Sequence, residues 1–263
     1  MDLCTVISEN FITQAINLIQ SYKVLSYDKN VYVYYFNTDP NKLDIFFKAF
    51  GDKVKLIQVE DVCDHALMPT VFFYKVYAIK DCLHNRSNSF IYSDSANCFI
   101  RDAKAIHEDL IDDSLFLAYP YEKLTNRYWT TKKCFDVFGS LGAEIMPQYW
   151  AGFQAYNKTD NNLEFVQQMY DYMLDPLVAL PDTIVSHPDG PSEPCIQHRS
   201  DQSVLSILIH KNNRHQFFDV NKNTKYGDWQ TFVNFDKNYK HEFDKMILSP
   251  RESKFGKFRF LNV

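Results

Sequence analysis

An aspartate follows directly on an apolar strand near the middle of the chain. The strand is predicted over Ser89–Ser93, and Asp94 is the next residue. In an open α/β sheet, ligands bind beyond the carboxyl ends of the strands, so we expect this carboxylate at the ligand-binding edge. Its oxygens suit a hard divalent cation that carries a diphosphate. The alternative is an aspartate that only caps the next turn.

Two other segments carry polar groups that can reach the same edge. Lys75 lies within the apolar stretch Phe72–Leu83, and its ammonium can neutralise a phosphate. The alternative is a surface lysine with a buried stem. Arg199, Asp201 and Gln202 surround the start of a predicted helix, and a helix N-terminus favours anions. A plain N-cap would explain Asp201 alone and not the whole group.

A strand and a loop near these groups have an unusual composition. The predicted strand Trp150–Tyr156 begins with the small pair Ala151 and Gly152, where a ligand can approach the backbone. Residues 175–199 then contain five of the ten prolines in the chain. A loop of this length within a compact domain is more often functional than not.

The elements that must position these groups alternate between strands and helices. Apolar runs predict strands at Cys4–Ser8, Val31–Phe36, Lys53–Val59 and Ser89–Ser93, and helical spacing predicts helices at Asn10–Tyr22, Asp39–Phe50 and Thr70–Leu83. In the second half, strands are predicted at Leu115–Tyr119 and Trp150–Tyr156, and helices at Thr131–Phe138, Leu163–Leu174 and Asp201–His210. This order predicts an α/β fold with a mainly parallel, doubly wound sheet in a single domain.

Composition argues against several classes of protein. The 263 residues carry 28 Lys and Arg against 33 Asp and Glu, so the net charge is −5, which argues against nucleic acid or an anionic membrane as the main partner. With only 7 Gly, the chain has neither a GxGxxG nor a GxxxxGK[ST] motif, so a Rossmann dehydrogenase or a P-loop enzyme is not expected. The sequence shows no apolar run of about 18 residues and no signal peptide, so we expect a soluble cytoplasmic protein.

Taken in order, the segments around Asp94, Ala151–Gly152 and Asp201–Gln202 resemble the motifs of glycosyltransferases with the GT-A fold. The layout is closest to the group that includes glycogenin and the bacterial lipopolysaccharide galactosyltransferases, with capsule-type relatives. The resemblance covers roughly residues 3–210 as an order of elements. It implies a Rossmann-like sheet flanked by helices, with a nucleotide-binding part over about residues 1–110 and an acceptor-side part over about 111–263. It also implies transfer of a hexosyl or pentosyl group from a UDP- or GDP-sugar to a glycan or another hydroxyl acceptor.

The resemblance assigns roles to individual residues. In this family a strand-end aspartate-x-aspartate motif binds Mn²⁺ or Mg²⁺ and the donor diphosphate, and Asp94 matches its position. Ala151 and Gly152 match a strand that lines the sugar pocket. Asp201 and Gln202 match a helix start that contacts the donor sugar and the acceptor.

The chain departs from the family pattern at the metal site. Ala96 stands where the second aspartate is expected, and a late histidine ligand has no clear counterpart. We favour His187 or His198 for that ligand because they flank the proline-rich loop. The alternative is a site without metal, in which Lys75 (which matches a lysine of the family) and Arg199 balance the phosphate charge.

The catalytic roles remain open at this stage. Asp201 can act as the general base of an inverting reaction, and Gln202 would lie near the anomeric carbon in a retaining one. Asp189 and Glu193 in the proline-rich loop are rival bases. Because the second aspartate of the metal motif is missing, a catalytically degenerate scaffold that binds a glycan or a protein is the alternative to an enzyme.

Overall fold

Six strands form the central sheet of the computed structural model, which describes residues 1–25, 29–99, 116–139, 142–185, 194–212 and 233–234. The sheet has the order β3-β2-β1-β4-β7-β6, and a second sheet pairs β5 with β8. The strands are β1 (Asp2–Ile7), β2 (Val31–Tyr35), β3 (Val54–Gln58), β4 (Ser89–Ser93), β5 (Cys98–Phe99), β6 (Phe116–Thr125), β7 (Pro147–Asn157) and β8 (Val233–Asn234).

The strand directions divide the central sheet into two parts. β1 pairs in parallel with both β2 and β4, and β2 pairs in parallel with β3. β7 then runs antiparallel to both of its neighbours, β4 and β6. The amino-terminal half of β7 therefore lies at the same edge as the carboxyl end of β4. The predicted mainly parallel sheet is confirmed, and the antiparallel insertion of β7 was not predicted.

Seven α-helices surround the sheet within the described ranges. They are α1 (Ile12–Leu25), α2 (Pro40–Phe50), α3 (Phe73–Asp81), α4 (Lys132–Phe138), α5 (Asp160–Leu174), α6 (Pro176–Ala179) and α7 (Ser200–Lys211). Local signals set several of their ends: Asp39 caps α2 by accepting from the Asn41 N–H at 2.9 Å, and Gly139 ends α4 with a φ of 78°. Among the helices in these ranges, none has the length and apolar character that a membrane crossing requires.

The pleat of the strands separates two apolar cores. On β2, Val31 and Val33 face the core that contains α1 and α2, whereas Tyr32 and Tyr34 face the core that contains α3, α5 and α7. Tyr92 of β4 lies in the second of these cores. Many of the aromatic residues are therefore core residues, and the α3 side of the sheet is the side toward which β4 directs Tyr92 and, two residues on, Asp94.

A bulge interrupts β7 beside the carboxyl end of β4. Ala118 of β6 pairs with Gln154, but the next residue, Tyr119, pairs with Trp150. Residues 151–153 thus have no counterpart in the β6 ladder. Bulges of this kind bend a strand and are frequent next to functional sites.

Candidate functional site

The backbone of Asp94 is fixed by the bulge in β7. Its N–H donates to the carbonyl oxygen of Gly152 at 2.9 Å, which extends the β4–β7 pairing by one residue. The N–H of Asn97 donates back to the Asp94 carbonyl at 3.0 Å. The Asn97 amide also donates to Ser93 Oγ and to the Gly152 carbonyl, both at 3.0 Å. Asp94 is therefore held in a tight turn at the edge of the sheet, as predicted from its position.

Two side chains hold the carboxylate of Asp94 on the α3 side of the sheet. The phenol of Tyr92 donates to Oδ1 at 2.9 Å. The ammonium of Lys75 lies 2.9 Å from Oδ1 and 3.2 Å from Oδ2. Burial raises the pKa of the Tyr92 phenol well above its ordinary value, and the nearby Asp94 carboxylate adds to this. The Asp94 side chain is 30% exposed, so one side of the carboxylate faces solvent.

Lys75 is positioned by the first turn of α3, which begins at the carboxyl edge of the sheet. Its backbone N–H donates to the Phe72 carbonyl at 3.0 Å, and its ammonium lies 4.6 Å from the centroid of the Phe72 ring. Phe72 has a φ of 62°, a left-handed conformation that is unfavourable for a non-glycine residue. Burial lowers the pKa of Lys75, but the carboxylates of Asp94 and Asp201 outweigh burial and raise it, so the side chain stays charged.

Asp201 brings a second carboxylate to Lys75 from the first turn of α7. Its Oδ2 lies 3.6 Å from the Lys75 ammonium, and its side chain is only 7% exposed. Burial raises the pKa of Asp201 to about 6, and the charge of Asp94 adds to this, whereas Lys75 opposes it. A carboxylate with this pKa can accept a proton at neutral pH. We call Lys75, Asp94 and Asp201 the charged cluster.

Gly152 leaves space that other side chains of the site use. A Cβ at this position would lie 2.7 Å from Asp94 Oδ2 and 2.7 Å from two carbons of the Trp150 ring. Ala151 is buried, and its carbonyl accepts from the Gln154 amide at 2.8 Å. Gly152 thus lies next to Asp94, and the Asp94 carboxylate and the Trp150 ring explain why this residue has no side chain.

Gln202 belongs to a buried network of neutral groups beside the charged cluster. Its Nε2 donates to Gln148 Oε1 at 2.5 Å, and Gln148 Nε2 in turn reaches Ser203 Oγ at 3.3 Å and Thr130 Oγ1 at 3.4 Å. Thr130 Oγ1 donates to Ser203 Oγ at 2.9 Å. We call Gln148, Gln202, Ser203 and Thr130 the amide network. It ties the start of α7 to the start of β7.

The remaining predicted site residues have other partners. The ring of His198 accepts from the Thr131 N–H at 3.3 Å through Nδ1, and its Nε2 lies 2.7 Å from the Val178 carbonyl. Both ring nitrogens are engaged, so neither is free to bind a metal. The Arg199 guanidinium stacks on the ring of Trp129, with 4.5 Å from Cζ to the centroid. His187, Asp189 and Glu193 lie outside the described residues.

Two solved structures with a similar arrangement of strands and helices are glycosyltransferases. The apo structure of WbbM, a bifunctional glycosyltransferase, matches with a TM-score of 0.52 at 10% identity, over 79% of this chain and 37% of that chain. The galactosyltransferase LgtC, in complex with donor and acceptor sugar analogues, matches with a TM-score of 0.52 at 11% identity, over 79% of this chain and 70% of that chain. This chain has the GT-A fold. The chain spans well under half of the WbbM chain. Comparisons with protein-family models and with curated proteins give no match.

The divalent cation that the GT-A fold implies does not suit the groups around Asp94. Both carboxylate oxygens of Asp94 already contact the Lys75 ammonium, and Oδ1 also accepts from Tyr92. Across the described ranges, no three His, Cys, Asp or Glu side chains come together in a way that could hold a metal ion. A divalent cation prefers six or more oxygen ligands, and Asp94 would be its best ligand here. The Lys75 ammonium, which already contacts Asp94, would repel it.

Two residues of this site were missed from the sequence. Tyr92 could have been found, because residues i and i+2 of a strand point to the same face and Tyr92 precedes Asp94 by two. Gln148 had no such signal, since its role depends on Gln202, which is 54 residues away in the chain.

Proposed function

We propose that the protein transfers a sugar from a nucleoside-diphosphate donor, such as a UDP- or GDP-sugar, to a hydroxyl acceptor. The observation that carries the proposal is the charged cluster, in which Asp94 and Asp201 meet Lys75 at the carboxyl end of β4 in a GT-A fold. Ligands of open α/β sheets bind at this edge. LgtC, which shares the fold, has been solved with donor and acceptor sugar analogues bound.

In this proposal Lys75 stabilises the leaving diphosphate. Glycosyl transfer develops negative charge on that group, and a preorganised cation in a partly buried site lowers the energy of such a state. Asp94 and Tyr92 hold the ammonium in place through Oδ1 of Asp94. Arg199 is the second candidate cation, held by its stacking on Trp129.

Asp201 and Gln202 are the candidates for the chemistry at the sugar. In an inverting reaction Asp201 would remove the proton of the acceptor hydroxyl, a role that its raised pKa suits. In a retaining reaction Gln202 would lie near the anomeric carbon. Because Gln148 engages Nε2 of Gln202, Oε1 is the atom that Gln202 would present to a sugar.

The test is hydrolysis of UDP- and GDP-sugars by the wild type, by Asp94→Asn and by Asp136→Asn. Asp136 is a matched control, since it pairs with Lys132 on the exposed face of α4. We expect Asp94→Asn to lower turnover by about a hundredfold or more and the control to leave it unchanged. Turnover that survives Asp94→Asn would refute the donor-site assignment. Asp201→Asn should retain donor binding and lose transfer to the acceptor.

A second candidate function is glycan binding without catalysis. One ammonium between two carboxylates leaves the charged cluster with one net negative charge when both are ionised, which disfavours a diphosphate and suits a neutral, hydroxyl-rich ligand. Calorimetric titration separates the two candidates. Binding of neutral oligosaccharides with no heat from any nucleotide sugar would favour the glycan-binding scaffold.

A further inference from the structure

Lys75 lies between the two carboxylates at which a cation would bind in this site. Its ammonium is 2.9 Å from Asp94 Oδ1 and 3.6 Å from Asp201 Oδ2, and it also contacts Asp94 Oδ2 at 3.2 Å. The other oxygen that could complete a metal shell beside Asp94, the phenol of Tyr92, donates its proton to Asp94 Oδ1. The position with the most negative charge at this edge of the sheet is thus filled by a side chain.

Three features keep the ammonium in that position. The Lys75 side chain is 13% exposed, its backbone is fixed in the first turn of α3, and its ammonium lies 4.6 Å from the centroid of the Phe72 ring. Among the described residues, no third His, Cys, Asp or Glu side chain joins Asp94 and Asp201 to compete for a divalent ion. A divalent ion would therefore have to displace a covalently attached cation that already neutralises Asp94.

We propose that the Lys75 ammonium is a built-in replacement for the divalent metal, so that this site takes up no Mn²⁺ or Mg²⁺ and works with Lys75 as its cation. The consequence for the donor, which rests on the proposed function, is that nucleotide binding is independent of divalent ions. Removal of the ammonium should convert the site into a metal site, because Asp94 and Asp201 then face each other without a counter-charge.

The experiment measures Mn²⁺ uptake directly, from the loss of the electron paramagnetic resonance signal of free Mn²⁺. The full chain is titrated as wild type, Lys75→Ala, Lys75→Arg and the double variant Lys75→Ala with Asp94→Asn. At about 1 mM Mn²⁺ we expect no uptake by the wild type or by Lys75→Arg. Lys75→Ala should bind Mn²⁺ at least about tenfold more tightly than the wild type, and adding Asp94→Asn should abolish this binding. UDP binding to the wild type, measured by calorimetry, should be equal in Mn²⁺ and in EDTA.

Two outcomes would overturn the inference. One is Mn²⁺ uptake by the wild type, alone or with UDP, or UDP affinity that rises about tenfold with Mn²⁺. The other is a folded Lys75→Ala protein that takes up no more Mn²⁺ than the wild type. If Lys75→Ala does not fold, the wild-type and Lys75→Arg titrations still decide. If the protein binds no nucleotide under any condition, the proposed function is refuted. The Mn²⁺ titrations would still test whether Lys75 excludes a metal ion.

Discussion

The charged cluster and the amide network are neighbours that use polar groups in different ways. Asp201 and Gln202 are adjacent in the first turn of α7, yet Asp201 faces Lys75 and Gln202 faces Gln148. The charged cluster opens to solvent through Asp94, whose side chain is 30% exposed. Every member of the amide network is buried.

This difference separates charged groups that a ligand can reach from buried neutral groups that fix the position of α7 and β7. A buried neutral amide with satisfied hydrogen bonds fixes the position of its neighbours but offers no charge to a reaction. A partly exposed group of ion pairs keeps charge at the surface, where a ligand can exchange with it. Because α7 carries Gln202 and Ser203 of the amide network and Asp201 of the charged cluster, its placement by the amide network also places Asp201.

The largest effect is expected from Lys75→Met, which leaves the carboxylates of Asp94 and Asp201 without their cation. We expect the free energy of unfolding at neutral pH to fall by about 3 kcal/mol, and donor-sugar hydrolysis to be lost. Urea denaturation and a turnover assay measure the two effects. Lys132→Met, at an exposed pair on α4, is the control and should change stability by less than about 0.5 kcal/mol. A Lys75→Met protein as stable as the wild type would show that the cluster is not a buried ion pair.

Gln148→Leu breaks the amide network without touching a charge. It leaves the buried Gln202 Nε2 without its Gln148 acceptor, whereas the Trp129 carbonyl still accepts from Ser203 Oγ, so we expect a loss of about 2 kcal/mol in the free energy of unfolding. Turnover by the protein that remains folded should fall less than tenfold, in contrast to Lys75→Met. Gln167→Leu, which removes an exposed contact to Asp171, is the matched control. A loss of turnover larger than tenfold, with stability unchanged, would instead assign Gln148 a role in the reaction.

Gly152→Ala tests the contact between the β7 bulge and the charged cluster. The added Cβ would lie 2.7 Å from Asp94 Oδ2 and from the Trp150 ring, so one of them must move, at a cost of about 1 kcal/mol. We expect turnover to fall clearly although the loss of stability is this small, because the carboxylate that holds Lys75 is displaced. Thermal unfolding and a turnover assay measure the two effects. A loss of stability with no loss of turnover would contradict the expectation.

Asp201 and His198 should contribute to stability with opposite dependences on pH. Burial lowers the pKa of His198 from 6.5 to about 4, so its contribution to stability is full above pH 6.5 and is lost as the pH falls toward 4. Burial raises the pKa of Asp201 from 3.8 to about 6, so its contribution is full below pH 3.8 and is lost as the pH rises through 6. Between pH 4 and 6 the two contributions oppose each other.

Each variant should therefore change the slope of stability against pH in its own direction. Asp201→Asn should make the free energy of unfolding fall more steeply toward pH 4, and His198→Gln should make it fall less, each by about 1 kcal/mol per pH unit. Urea denaturation at half-unit steps from pH 4 to 7 measures both slopes. Parallel curves for all three proteins would mean that neither group has the shifted pKa.

The local signals in the sequence predicted most elements of the parallel half. The helix over Asp39–Phe50 is confirmed within a residue, because Asp39 and Pro40 form a strong start and Gly51 a strong end. The continuous run at Val31–Phe36 is confirmed as the buried strand β2. The two-residue pairing of Cys98–Phe99 with Val233–Asn234 was not predicted. Neither segment has a periodic pattern of apolar residues, and the two segments are far apart in the chain.

The candidate site was predicted in part. Asp94 and Asp201 were identified at the end of a strand and the start of a helix, and Lys75 as a cation within an apolar stretch. The structure brings all three together. His198, predicted as a metal ligand, has both ring nitrogens engaged, by the Thr131 N–H and the Val178 carbonyl. A histidine near a functional loop has the same sequence signal whether its ring is exposed or buried.

The sequence by itself determined the alternation of strands and helices and the presence of a carboxylate at the end of β4, because these follow from periodicity and adjacent residues. Only the tertiary structure decided that β7 enters the sheet antiparallel, bulges at Gly152 and brings α7 beside α3. It also decided that Lys75 lies between the carboxylates of Asp94 and Asp201, which are 107 residues apart in the chain. Long-range pairings depend on the packing of whole elements, which the local pattern does not encode.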